Sequence, residues 1–154
     1  MNKVINFDMD GTIADLYGVV DWLPKLQASD ATPYLDATPL VRLSRLAYYL
    51  NRLQTAGWTI NIISWCAKEA TPEYDAEVAI AKECWLDRHL PSVAWDNVFI
   101  CPYDTPKSDF AAGILFDDND AIRLAWNAQG DNYRAFDETV IFDVLKMLIA
   151  GGAL

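Results

Sequence analysis

Val4-Ile5-Asn6-Phe7-Asp8-Met9-Asp10-Gly11-Thr12 is the stretch whose reading decides the fold. A short, mostly apolar run ends in two carboxylates, a glycine and a hydroxyl. Such a run reads as a strand buried in a parallel sheet. Asp8 and Asp10 stand two residues apart, so in a regular strand their side chains share one face. Beyond the strand's end they can converge on one small volume. Gly11 permits a sharp turn there and is expected to leave its N–H free for an anion. Clustered carboxylates raise one another's pKa. A bound cation offsets that cost, and Mg²⁺, a hard ion, suits oxygen ligands. Taken alone, the stretch is also compatible with a strand followed by an ordinary Asp/Gly turn.

Outward from this strand, residues 3 to 8, hydrophobic periodicity predicts alternating elements. Leu16, Tyr17, Val19, Val20, Trp22, Leu23 and Leu26 suggest helical turns over residues 14 to about 28, kinked or restarted at Pro24. Residues 29–39 read as a loop. Leu40, Leu43, Leu46, Ala47, Leu50 and Leu53 recur at helical spacing until Gly57 stops the helix. A β-rich run over residues 58–63 ends at Ser64. Thr71 and Pro72 open a long helix that runs to about residue 90. Residues 98–101, 113–116 and 133–136 predict three more strands, the last at an edge. Helices are expected over residues 120–128 and 138–150. Strands alternating with helices call for an α/β fold, a Rossmann-like parallel sheet of about five strands with right-handed crossovers. In such sheets ligands sit beyond the carboxyl ends of the strands, where strand order reverses. Three predicted strands end in polar groups: Asp8 and Asp10, Ser64, and Asp117 with Asp118.

Composition narrows the function classes. The 154 residues are expected to form a single domain, and no linker divides them. The formal net charge of −10 argues against extended binding to a nucleic acid backbone or to an anionic membrane surface. A small phosphorylated molecule remains acceptable through a local positive site. No apolar run approaches the ~20 residues of a membrane span, and no signal-peptide pattern precedes the first strand. Cys66, Cys84 and Cys101 are widely spaced and read as buried free thiols, and His89 has no metal-ligand partner. A reducing cytoplasm is the expected compartment.

The order of motifs resembles the haloacid dehalogenase (HAD) superfamily. Asp8-Met9-Asp10-Gly11-Thr12 is similar to its first motif, Ile62-Ile63-Ser64 to its second, Lys107 to its third and Phe116-Asp117-Asp118 to its fourth. The resemblance implies a Mg²⁺-dependent phosphatase working through an aspartyl-phosphate. Asp8 would be the nucleophile, and Asp10 the general acid and then base. Mg²⁺ would be held by Asp8, the Asp10 carbonyl and Asp118, with Asp117 nearby. Gly11, Thr12, Ser64, Trp65 and Lys107 would bind phosphate, with Lys68 the rival for the role of Lys107. From the residues alone, Ser64 also reads as a helix cap or turn former, Lys107 as a solvated loop lysine, and Asp117 and Asp118 as caps of the next helix.

Members of this superfamily take specificity from cap insertions, and only residues 13–39 leave room for one. That small flap carries Tyr17, Trp22 and Tyr34, which either stack on a nucleobase or pack over the sheet. The run Ile13-Ala14-Asp15 resembles 5′(3′)-deoxyribonucleotidase-type members, and residues 116–126 resemble the phosphatase domain of polynucleotide kinase. The substrate is therefore expected to be a nucleotide. A nucleic acid 3′ end is the alternative, and a non-catalytic phosphate-ligand or partner-binding protein the alternative of another class. Monomer and homodimer read alike.

Overall fold

The computed structural model describes residues 2–153. Its main sheet holds five parallel strands in the order β5-β4-β1-β6-β7. Their ranges are β1 Val4–Phe7, β4 Thr59–Trp65, β5 Asn97–Cys101, β6 Gly113–Phe116 and β7 Tyr133–Phe136. The chain runs from β1 outward through β4 to β5, then crosses to β6 on the other side of β1. Strand order thus reverses between β1 and β6, and the ligand crevice of such a sheet opens there.

Side chains alternate across the sheet. Ile5, Phe7, Ile60, Ile62, Ile114 and Phe116 face one side and meet the buried stripes of α3 (Leu43–Thr55), α6 (Ile141–Ile149) and the end of α4 (Pro72–His89). Ile63, Cys101 and Leu115 face the other side and meet Trp126 of α5 (Asp120–Asn127). That second side also buries an asparagine ladder. Asn97 donates to Asn61 and Asn61 to Asn6, each at 2.9 Å, and Asn6 donates to the carbonyls of Ala112 and Ile114. Buried amides must be paired, so the ladder ties together four strands, β5, β4, β1 and β6.

Between β1 and α3 the sequence reading needs correction. The helical turns expected over residues 14–28 form in two separate pieces, with no break at Pro24. Ala14–Asp15 (β2) pairs antiparallel with Thr38–Pro39 (β3), closing the segment at its base. Between them come a 3₁₀ turn at Leu16–Gly18, α1 at Trp22–Gln27 and α2 at Thr32–Asp36, so the expected loop also holds a helix. Pro24 sits in the first turn of α1, where its missing N–H breaks no helical bond. Pro33 likewise starts α2. Elsewhere differences are small: β4 continues one residue past Ser64, and the last helix begins with a 3₁₀ turn at Glu138–Val140.

Helix α4 fastens this segment. The Tyr74 hydroxyl donates to the Asp30 carbonyl at 2.8 Å, and the Trp85 indole to the Ala37 carbonyl at 2.8 Å. Tyr34 of α2 packs with Tyr74, Val78 and Ala81. α2 is therefore bolted to the core, whereas α1 buries none of its residues. Cys66 and Cys101 are buried as expected, but Cys84 is exposed on the outer side of α4. Among the described residues no helix is long and apolar enough to cross a membrane.

Candidate active site

The carboxyl ends of β1 and β6 deliver the acidic groups. The ladder of β1 ends at Phe7, and the chain turns back so that the Gly11 amide donates to the Ala14 carbonyl at 2.8 Å. This corrects the expectation of a free Gly11 N–H. Among the described residues, the amides without a partner in this turn are those of Met9 and Asp10. Gly11 is required for two other reasons. Its φ is +80°, and a Cβ there would lie 2.3 Å from Asp118 Oδ2 and 2.9 Å from the Tyr17 ring.

The turn also separates the two aspartates that a regular strand would have kept on one face. Asp8 Oδ1 accepts from Lys107 Nζ at 2.8 Å, and Lys107 also donates to Asp117 Oδ2 at 2.6 Å. Asp10 Oδ2 instead accepts from Lys82 Nζ at 2.7 Å. Lys107 reaches in from the loop before β6, on the α5 side, and Lys82 from α4 on the opposite side. Two buried ammonium groups thus clamp the two aspartates from opposite faces of the sheet.

Thr12 is fully buried. Its hydroxyl lies 3.2 Å from Asp8 Oδ2 and 3.3 Å from Asp118 Oδ1, and accepts from the Asp118 amide at 3.2 Å. One hydroxyl proton serves two carboxylates, so Thr12 spaces the acidic cluster. Ser64 is also fully buried, and its hydroxyl accepts from Lys82 at 2.7 Å. Trp65 donates its indole N–H to the Thr105 carbonyl at 2.8 Å. Asn119 caps α5, and Asp117 accepts from the Asn119 amide, so the capping role considered for Asp117 and Asp118 falls to Asn119.

Above these groups opens a cavity of about 530 Å³. Asp8, Asp10, Lys107, Asp117 and Asp118 line it with Tyr17, Trp22, Tyr34, Trp65 and Tyr103; Lys68 also lines it but is exposed. Gly11, Thr12 and Ser64 stand behind the lining groups. Tyr17 and Trp22 meet edge to face with centroids 5.0 Å apart. A second cavity of about 500 Å³ lies beyond Trp65, Tyr103 and Lys107, toward α5.

Electrostatics mark the acidic cluster as strained. Burial, and then the Asp8 charge, push the Asp118 carboxyl from 3.8 up to about 6. Asp117 is raised by the same two causes, against the pull of Lys107. Burial raises Asp10 despite Lys82. Burial alone would lower the Lys107 ammonium, but Asp8 and Asp117 outweigh it and hold it firmly charged. Burial and the surrounding carboxylates keep the Tyr17 phenol protonated.

No protein-family model, curated protein or solved structure matches this chain.

The cluster could hold a metal ion. One oxygen from each of Asp8, Asp117 and Asp118 lies within 4.8 Å of the others. All donors are oxygens, and the flanking cations neutralise the carboxylates only in part. This has a measurable consequence. Because Asp118 is raised above its unfolded value, the folded chain binds more protons than the unfolded chain between pH 3.8 and about 6. Its contribution to stability without a cation therefore falls as pH rises through that window. A cation competes with those protons, so Mg²⁺ should raise the melting temperature markedly at pH 7.5 and little at pH 4.5. Thermal melts with and without Mg²⁺ check this; an equal shift at both pH values would place the cation elsewhere.

Proposed function

We propose that this chain is a divalent-cation-dependent phosphomonoesterase of the HAD type, acting through an aspartyl-phosphate on a small phosphorylated substrate, a nucleotide. The observation that supports this reading most is the clamp at the cavity floor: Lys107 bridges Asp8 and Asp117, beside Asp118.

Each residue then has a task. Lys107 fixes Asp8 Oδ1 and supplies positive charge beside the incoming phosphoryl group. Asp8 attacks phosphorus with a carboxylate oxygen as the ester P–O bond breaks. Asp10 gives its proton to the leaving oxygen, then takes one from the water that hydrolyses the aspartyl-phosphate. The raised Asp10 carboxyl suits a group that must carry that proton. The amides of Met9 and Asp10, which lack a partner in the turn, and those of Ala67 and Lys68 at the cavity wall would be the backbone donors offered to phosphate oxygens. A cation held by Asp8, Asp118 and Asp117, with the Asp10 carbonyl, would supply neutralisation of the phosphate charge.

Substrate class follows from the aromatic wall. Tyr17 stands in the 3₁₀ turn and half-buried Trp22 opens α1, while Tyr34 is fixed by α4. A nucleobase against Tyr17 and Trp22 would gain about 1–3 kcal/mol of stacking. Replacing either with alanine should therefore raise KM for nucleotides roughly 5- to 100-fold and leave an aryl phosphate nearly unchanged. Equal effects on both substrates would assign these rings to packing alone.

One observation favours a second reading, a nucleic acid 3′-end phosphatase. The two cavities share Trp65, Tyr103, Lys107, Asn119 and Ile122, so a longer strand could pass over the site. The net charge of −10 weighs against it. Phosphate release with Mg²⁺ from 5′- and 3′-nucleotides, sugar phosphates and a 3′-phosphorylated oligonucleotide tests both readings. Preference for mononucleotides supports the first, and preference for the oligonucleotide the second. No release from any substrate, with Mg²⁺ bound, would leave a binding protein.

A further inference from the structure

We infer that Lys82 is the positioning residue for proton transfer, presenting Asp10 to the substrate through one defined oxygen. The inference rests on the phosphatase reading and goes beyond it, since none of the four motifs contains Lys82. The residue lies on the buried face of α4 among Val78, Ala81 and Trp85 and is 1% exposed. A lysine is buried this deeply only where every proton finds a partner. Lys82 meets that demand: its Nζ donates to Asp10 Oδ2, Ser64 Oγ and the Trp65 carbonyl, each at 2.7 Å. An ammonium has three protons. None is left for a phosphate oxygen, so Lys82 does not bind substrate. The Tyr34 ring lies 4.9 Å from the same nitrogen and covers it on the α2 side.

This geometry assigns the two oxygens of Asp10. Oδ2 is pinned to the ammonium, and Oδ1 is left to exchange protons. In the first step an Asp8 oxygen bonds to phosphorus, and the ester P–O bond breaks. The leaving oxygen keeps that electron pair and takes the proton from Asp10 Oδ1. In the second step a water oxygen bonds to phosphorus and its proton passes to Oδ1. The Asp8 O–P bond then breaks, and its pair returns to the Asp8 carboxylate. Lys82 touches neither the phosphate nor Asp8, which Lys107 holds from the other face. Losing Lys82 should therefore impair proton transfer and spare substrate binding and the cation site.

Stopped-flow kinetics on Lys82→Met and Lys82→Gln test this, with an aryl phosphate (4-nitrophenyl phosphate) and a nucleotide. The aryl leaving group needs little protonation, whereas hydrolysis of the aspartyl-phosphate still needs Asp10. Lys82→Met should give a burst of about one equivalent of 4-nitrophenolate and then turnover slowed on the order of 10²-fold. The nucleotide should show the slow rate without a burst, with KM and the Mg²⁺ titration near wild type. Lys82→Gln, which keeps one donor toward Asp10, should show the same pattern with a smaller loss, and it decides the matter if Lys82→Met does not fold. Equal loss on both substrates without a burst, or turnover like wild type in the folded variants, would overturn the role of Lys82. Turnover that survives Asp8→Asn would instead overturn the phosphatase reading, and this inference with it.

Discussion

Replacing Asp8 with asparagine should reduce phosphate release by on the order of 10⁴-fold or more while leaving the protein folded. The amide has nearly the carboxylate's shape but no nucleophilic oxygen. The substitution also removes a negative charge from a crowded site. Asp8 is a cause of the raised Asp117 and Asp118 carboxyls. Lys107 keeps Asp117 at 2.6 Å as a partner. The variant without a cation should therefore melt at the wild-type temperature or above at pH 7.5, and bind Mg²⁺ more weakly. Activity assays and thermal melts on one preparation check both halves. Loss of activity together with loss of fold would give Asp8 a structural role; retained activity would remove it as nucleophile.

Lys107→Met is expected to have the larger effect on stability. Among the described residues Lys107 is the one cation shared by Asp8 and Asp117, and all three are buried. Removing one partner of a buried ion pair leaves an uncompensated charge and costs about 3–5 kcal/mol. For a domain of this size that lowers the melting temperature by on the order of 10 °C. Activity should fall as well, on the order of 10³-fold, because the positive charge beside the phosphoryl group is lost. Millimolar Mg²⁺ should recover part of the lost stability, since it brings positive charge to the same carboxylates. Melts of Lys107→Met with and without Mg²⁺, beside exposed Lys68→Met as control, read this directly. A variant as stable as the control would mean that the clamp contributes nothing.

Much of this was legible in the chain because strongly patterned segments report their own environment. The runs ending at Phe7 and Phe116 are apolar and short, as buried parallel strands must be, and the charges that follow them mark the ends of β1 and β6. Lys107 could be singled out because the motif order points to it. The segment between β1 and α3 was less legible. Two-residue strands such as β2 and β3 carry no periodicity, and α2 holds its place through Tyr34, Tyr74 and Trp85 contacts that are distant in sequence.

Lys82 is hard to read from sequence because lysine on a helix usually signals solvent. One signal was present all the same. Val78 lies four residues before Lys82, and Trp85 and Leu86 three and four after it, the spacing of a single buried helix face. A lysine on that stripe must be paired inside the protein. The separation of Asp8 from Asp10 was hidden for a different reason. Alternation along a strand places both on one face, and only the turn at Gly11, closed by the bond to Ala14, sends Asp10 toward α4.

Chemical trapping of a phosphorylated enzyme tests Asp8 as the nucleophile. Wild-type protein turning over a nucleotide with Mg²⁺ is quenched in acid, reduced with borohydride, and digested for peptide mass mapping. An aspartyl-phosphate is reduced at its acyl carbon, which converts that aspartate to homoserine. Conversion is expected at Asp8, absent without substrate and absent in Asp8→Asn. Rapid phosphate release with Asp8 unmodified, or conversion at Asp10 in its place, would contradict it.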